Sequence, residues 1–229
     1  MKIEPLIICL LLFAPILNAQ TDFRPGYVID FSGDTLYGDI DYRGDMLMGS
    51  ICRLQIHEGE ITEYSPYDIA GFRFIDSKFF VSKEISGKMV FLEYLINGKV
   101  SIFYLRDDLG DHYYIDKDGL GITELLYEEG VKSVNLHKTV YENTETEEIM
   151  FNTTKHIGYL KVYMQDYPEI FSKIESLQKP DQAPLIRLAE KYHNGVCPDE
   201  MCVVYEKKLP LIHFALEPYW AIYGLIAEN

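Results

Sequence analysis

The sequence predicts an α+β protein: an antiparallel β-sandwich or partly open barrel, followed by a small C-terminal helical segment. Three observations predict it. Two stretches, GYVIDFSGDTLYGDIDYR at residues 26–43 and VFLEYLINGKVSIFYL at 90–105, each read as paired strands around a tight polar turn. Turn signals recur at short intervals from Phe23 to about Tyr141, and helical periodicity appears only after residue 152.

In the first stretch Tyr27, Ile29 and Phe31 alternate with Val28 and Asp30, and Leu36 and Ile40 alternate with Tyr37, Asp39 and Asp41. A period of two rich in β-branched and aromatic residues is the strand signature. Ser32-Gly33-Asp34 supplies the turn, and Asn97-Gly98 in the echo suits a type I′ hairpin. Between and beyond lie further strand candidates at 50–57, 61–64, 69–75, 79–85, 112–115 and 122–127. The 18 tyrosines and 12 phenylalanines suit half-buried pleated surfaces. This β-domain is expected to span residues 20–141.

The first nineteen residues stand apart. Lys2 provides a positive start, residues 6–17 an apolar core, and Leu17-Asn18-Ala19 a small-residue exit before Gln20. That is the pattern of a secretory signal, too short for a comfortable membrane span. The mature chain is therefore expected to begin at Gln20, exported to the periplasm or the outer membrane. Removing residues 1–19 deletes Lys2 and Glu4 together, so the net charge of −15 persists. Such an excess of acid excludes nucleic-acid binding, which needs a positive face for phosphates.

Residues 142–151, with NTETEE inside them, are polar and poorly periodic and predict a linker. Helices are expected over 152–196, packing on the sheet through one apolar face each. Ile157, Leu160 and Met164 mark the first stripe, Pro168 suits a first helical position, and Asp181 is an N-cap before Leu185, Leu188, Ala189 and Tyr192. Asn194-Gly195 is the expected stop.

Three cysteines follow the signal. Cys197 and Cys202 are close enough to pair across the intervening turn, which an oxidising compartment favours. Cys52 sits in an apolar strand and is expected to pack as a small hydrophobe. The tail, residues 197–229, holds an apolar run from 209 to 227 interrupted by Pro210 and Pro218, which disfavours a spanning helix. Phe214, Tyr219, Trp220 and Tyr223 give two readings: a barrel-type strand at a membrane interface, or an ordinary terminal core strand.

No chemistry-bearing motif emerges. Asp107-Asp108-Leu109-Gly110-Asp111 and Asp116-Lys117-Asp118-Gly119 lack the spacing of a calcium loop and read as hairpin turns. The six histidines have no ligand spacing, and no nucleophile elbow is present. The expectation is no cofactor, no metal and no catalytic residue.

The order of GYVIDFSGDTLYGDIDYR, SPYDIAGFRFIDSKFFVSKEI, VFLEYLINGKVSIFYL, YYIDKDG, HIGYLKVYMQDYPEI and LIRLAEKYHNGVC resembles a family of exported Bacteroidota proteins. In that family a module of this kind commonly precedes an outer-membrane β-barrel related to the PorT-type barrels. The resemblance covers roughly residues 20–208 and stops where a barrel would begin, implying a stand-alone or remnant form. It transfers no catalytic residues. Its implication is a non-enzymatic envelope module that binds or supports a membrane or envelope partner, with the tail as docking element and as a route to homo-oligomers. A small hydrolase acting on glycans or peptides through dispersed carboxylates is the alternative.

Overall fold

The structure is a computed structural model and describes residues 21–57, 59–136 and 145–205. Residues 1–20, which include the segment expected to be a signal, residues 142–144, and the tail aromatics Phe214, Tyr219, Trp220 and Tyr223 lie outside the described residues.

Eleven antiparallel strands make one sheet. In chain order they are β1 (Phe23–Ile29), β2 (Thr35–Asp41), β3 (Cys52–His57), β4 (Glu60–Tyr64), β5 (Gly71–Phe74), β6 (Phe79–Ile85), β7 (Lys88–Asn97), β8 (Ser101–Asp107), β9 (Gly110–Asp116), β10 (Thr123–Glu124) and, much later, β13 (Val203–Val204). The spatial order is β10-β9-β8-β7-β6-β5-β1-β2-β3-β4, with β13 added to β7. Two meanders are thus joined where β1 pairs with β5, Gly26 opposite Phe74 and Ile29 opposite Gly71. The hairpin expected at residues 26–43 is β1–β2, with Gly26 opposite Gly38.

One core draws on β1, β2, β3, β5, β6 and β7 together: Val28, Ile40, Leu54, Phe72, Phe80 and Phe91 are all buried in it. The connection between β2 and β3 returns to β7, where the Phe91 N–H donates to the Gly49 carbonyl at 2.9 Å, so the sheet curls and the architecture is α+β with a curved, open sheet. The short helix α1 (Asp45–Met48) contributes Met48 to the same core.

A second core lies further along β7 to β9. Leu95, Ile102, Tyr104, Tyr113 and Ile115 meet the apolar stripes of α2 (Lys155–Tyr163), α3 (Phe171–Glu175) and α4 (Gln182–Val196). A register shift between Tyr94 and Ile96 allows Leu95 and Ile96 both to be fully buried. On the opposite face Leu92, Phe103 and Tyr114 form a third cluster, as strict alternation requires.

The helices start where the sequence places them. Asp181 caps α4, its carboxylate accepting from the Gln182 N–H at 2.8 Å. Pro168 opens a 3-10 turn, Pro168–Ile170, rather than an α-helix. Helix α4 runs through Gly195 to Val196 instead of stopping there. Gly195 is needed for proximity, because a Cβ would lie 2.5 Å from the Tyr167 ring.

The expected linker is also different. Glu145–Asn152 is β12, paired antiparallel with β11 (Glu129–Leu136) in a separate two-stranded sheet. This hairpin is not part of the main sheet. The sequence of β12, ETEEIMFN, carries little apolar alternation. The expected disulfide is not formed either: Cys197 and Cys202 are free thiols, as is Cys52. The two are held by different neighbours. The Cys197 N–H closes α4 on the His193 carbonyl at 2.7 Å, while Cys202 packs beside Gly98 against the helix–sheet core. Cys52 is fully buried in the first core, and burial pushes its thiol pKa up.

Candidate functional site

A groove of about 790 Å³ opens on the β6–β8 surface. Its floor carries Lys83, Tyr94, Ser101 and Phe103, its walls Asp116 and His193, and its rim Met201. The floor follows from alternation: Phe103 must face away from Ile102 and Tyr104, which point to the helices. The ring of Tyr94 lies 4.5 Å from that of Phe103, and its hydroxyl is 2.8 Å from Ser101 Oγ. Burial raises the Tyr94 pKa against the opposing hydrogen bond from Ser101. Lys83 Nζ sits 5.5 Å over the Phe103 ring and 3.5 Å from Asp116 Oδ2.

The wall is built by buried polar side chains. His193 Nδ1 accepts from the Lys99 N–H at 2.9 Å, and its Nε2 donates to the Glu200 carbonyl at 2.8 Å. These two bonds define a neutral tautomer and strap the β7–β8 loop to the segment after α4. A Cβ on Gly98 in that loop would be tightly placed, 3.0 Å from His193 Nδ1 and 3.1 Å from Cys202 Cβ. The type I′ turn expected at Asn97-Gly98 is therefore replaced by a longer loop between Asn97 and Ser101, with Gly98 chosen for close approach. Lys117 donates to the Tyr163 carbonyl at 2.9 Å, to Asp166 at 3.0 Å and to the Tyr192 hydroxyl at 2.7 Å. Tyr192 in turn donates to Asp166 at 2.6 Å. Burial raises the Asp166 pKa, but these bonds outweigh it and the net shift is downward.

Strand β13 borders the groove. Val203 lies opposite Asn97 and Val204 opposite Ile96, on the row that β6 leaves vacant beyond Phe79–Tyr94. The Tyr205 N–H then donates to the Leu95 carbonyl at 2.9 Å. The Tyr205 ring joins Phe79 at 5.3 Å and Tyr94 at 5.2 Å, with the Arg73 guanidinium 4.9 Å over it. Met201, 95% exposed, and the half-exposed Val203 and Val204 present apolar surface beside this seam.

Of the four basic residues that line the groove, Lys83, Lys117 and His193 have side chains engaged by a neighbour, and Lys99 contributes its backbone N–H to His193. Among the described residues no group of three His, Cys, Asp or Glu is placed to hold a metal ion. Of the residues singled out from sequence, Cys202 lies behind the groove beside Gly98, and Cys197 at the end of α4. Lys83, Tyr94, His193 and β13 had no sequence signal beyond the run Val203-Val204-Tyr205, which is β-prone but short. Among the described residues no helix is long and apolar enough to cross a membrane.

A second polar cluster sits at the far edge of the sheet. His112 Nδ1 is 2.7 Å from Glu124 Oε1 and Nε2 is 3.0 Å from Asp107 Oδ1, so the ring ties β10 to β9 and to the β8–β9 turn. Burial alone would lower the His112 pKa, but the hydrogen bonds and charges of Glu124 and Asp107 raise it above the ordinary value. For Asp107, burial raises and the Leu109 N–H and His112 bonds lower, with a net lowering. A histidine with a raised folded pKa stabilises below its unfolded pKa of about 6.5, and that contribution is lost as pH rises through the folded value. Asp107 acts oppositely, stabilising above its ordinary value and losing this as pH falls through the folded one. Urea unfolding is therefore expected to show stability falling by up to about 1 kcal/mol between mildly acidic and mildly alkaline pH, solvent screening keeping it small. H112Q should flatten this dependence. Equal pH profiles for both proteins would refute the assignment.

Compared with family models, curated proteins and solved structures, the chain finds no match in any of the three.

Proposed function

We propose that this chain is a non-enzymatic exported module that binds a cell-envelope partner, with an outer-membrane β-barrel protein as the partner class. The observation that carries this reading is β13. The chain's own C-terminal segment adds itself to β7 and seats Tyr205 among Phe79, Tyr94 and Arg73. Strand addition is a general mode of recognition, in which backbone hydrogen bonds supply affinity and side-chain pockets supply selectivity. The aromatic tail with Phe214, Tyr219, Trp220 and Tyr223 follows this strand in the sequence. Among the groove's basic side chains, Lys83, Lys117 and His193 are tied to neighbours, which favours a binding surface. The resemblance to modules that precede PorT-type barrels supports the choice of partner.

The test compares residues 20–229 with residues 20–205, the shorter chain keeping β13 and Tyr205. The full mature chain is expected to co-sediment with outer-membrane vesicles, and alone to elute as an oligomer or to require detergent. The shorter chain should be monomeric and stay in the supernatant, with an unchanged far-ultraviolet spectrum. Identical monomers in plain buffer, neither sedimenting with vesicles, would overturn the proposal.

A further inference from the structure

A different groove, of about 470 Å³, lies between α3, the turn that follows it and α4. Four cations line it: Lys173 from α3, Lys179 from the turn, and Arg187 and Lys191 one helical turn apart on α4. All four are exposed, and none forms an ion pair with a described residue. Several cations elsewhere sit on carboxylates, among them Lys78 on Glu93, Arg53 on Asp41, Lys117 on Asp166 and Lys161 on Glu175. In a chain with fifteen more acids than bases, a gathering of four cations without acid partners runs against the composition. Like charges at i and i+4, as at Arg187 and Lys191, also repel each other in the empty helix. The one carboxylate in the lining, Asp181, leaves an excess of positive charge, and its oxygen is already engaged by the Gln182 N–H.

We infer that this groove binds a phosphate-bearing ligand carrying more than one negative charge. Arg187 offers a planar fork that matches phosphate oxygens, while the three lysines supply mobile point charges. Gln178 adds a neutral donor to the lining, and Leu177 and Leu188 add apolar surface; the Ser176 hydroxyl already donates to the Lys173 carbonyl at 2.8 Å. At physiological salt the screening length is about 8 Å, so a ligand in the groove feels the local cations more than the distant acid surplus. The phosphate is either free or carried on a lipid headgroup; both present the same oxygens to the same cations. The site rests on the helical segment alone and stands or falls independently of the tail and of β13.

The test uses the full mature chain, inorganic pyrophosphate followed by calorimetry, and flotation with vesicles of phosphatidylcholine with or without phosphatidic acid. The wild-type protein is expected to bind at least one of these probes, with affinity falling as salt is raised. In R187Q/K191Q the affinity should drop at least tenfold. In K88Q/K155Q, which removes two exposed lysines elsewhere, it should change less than twofold, all three proteins giving the same circular dichroism. Pyrophosphate binding supports a free-phosphate ligand, and binding to phosphatidic acid vesicles alone supports a headgroup. Absence of binding to both, or equal loss in the two double variants, overturns the site.

Discussion

Replacing Lys78 by methionine is expected to lower the unfolding free energy by about 3–5 kcal/mol, one of the two largest single-residue losses predicted for this chain. Lys78 Nζ donates to Glu93 Oε2 at 2.8 Å and to Asp45 Oδ1 at 2.7 Å. Burial by itself lowers the lysine pKa, but the two carboxylates outweigh it and hold the proton more tightly than usual. Glu93 is only 2% exposed and stands on β7 between Phe91 of the first core and Leu95 of the second. The ion cluster therefore occupies the seam between two apolar cores. Removing its cation takes from the 2%-exposed Glu93 carboxylate the partner held at 2.8 Å, and with it part of the compensation for its desolvation. The melting temperature should fall by roughly 10 °C for a chain of this size. The decisive control is the double variant K78M/E93Q, which removes both opposing charges and should recover at least half of the loss. A K78M cost under about 1 kcal/mol would show that the cluster is stably hydrated.

Phe72→Ala should cost a comparable amount, about 3–5 kcal/mol, for a different reason. Phe72 is fully buried, stacked on Phe80 at 4.7 Å and set edge-on to Phe91 at 5.0 Å and to Phe74 at 6.2 Å. Those rings come from β5, β6 and β7, so the phenylalanine is the common contact of three strands. Truncation removes its transfer free energy and leaves a cavity that stiff neighbouring rings cannot collapse into. Phe31→Ala, at a side chain 62% exposed, serves as the reference and should stay within about 0.5 kcal/mol of wild type. Urea denaturation of both variants decides it. Similar losses for Phe72 and Phe31 would mean that the curved sheet repacks freely.

Much of the architecture is legible before folding is considered. Tyr27, Val28 and Ile29 alternate visibly, and the hairpin they predict is β1–β2. Asp181 before an apolar stripe predicts a capped helix, and the cap hydrogen bond is made. These features are local: a strand's period or a helix's first turn depends on residues a few positions apart. The strand β12 was hidden because Glu145–Asn152 pairs with Glu129–Leu136, while the sequence ETEEIMFN shows no alternation of apolar and polar residues.

The candidate sites are of the other kind. Lys83 meets Asp116 across β6 and β9, His193 meets Lys99 across ninety-four positions, and Val203 meets Asn97 across more than a hundred. Each of these residues, read alone, is an ordinary polar or β-branched side chain. The same holds for Lys173, Lys179, Arg187 and Lys191, whose charges are evident but whose shared groove is set by how α3 turns back onto α4. The sequence by itself determined the alternating strands, the capped start of α4 and the acid excess, because those depend on short-range periodicity and composition. Only the tertiary structure decided the curl of the sheet, the addition of β13 and the convergence of the cations, because these arise from pairing and packing between residues whose separation along the chain carries no periodic trace.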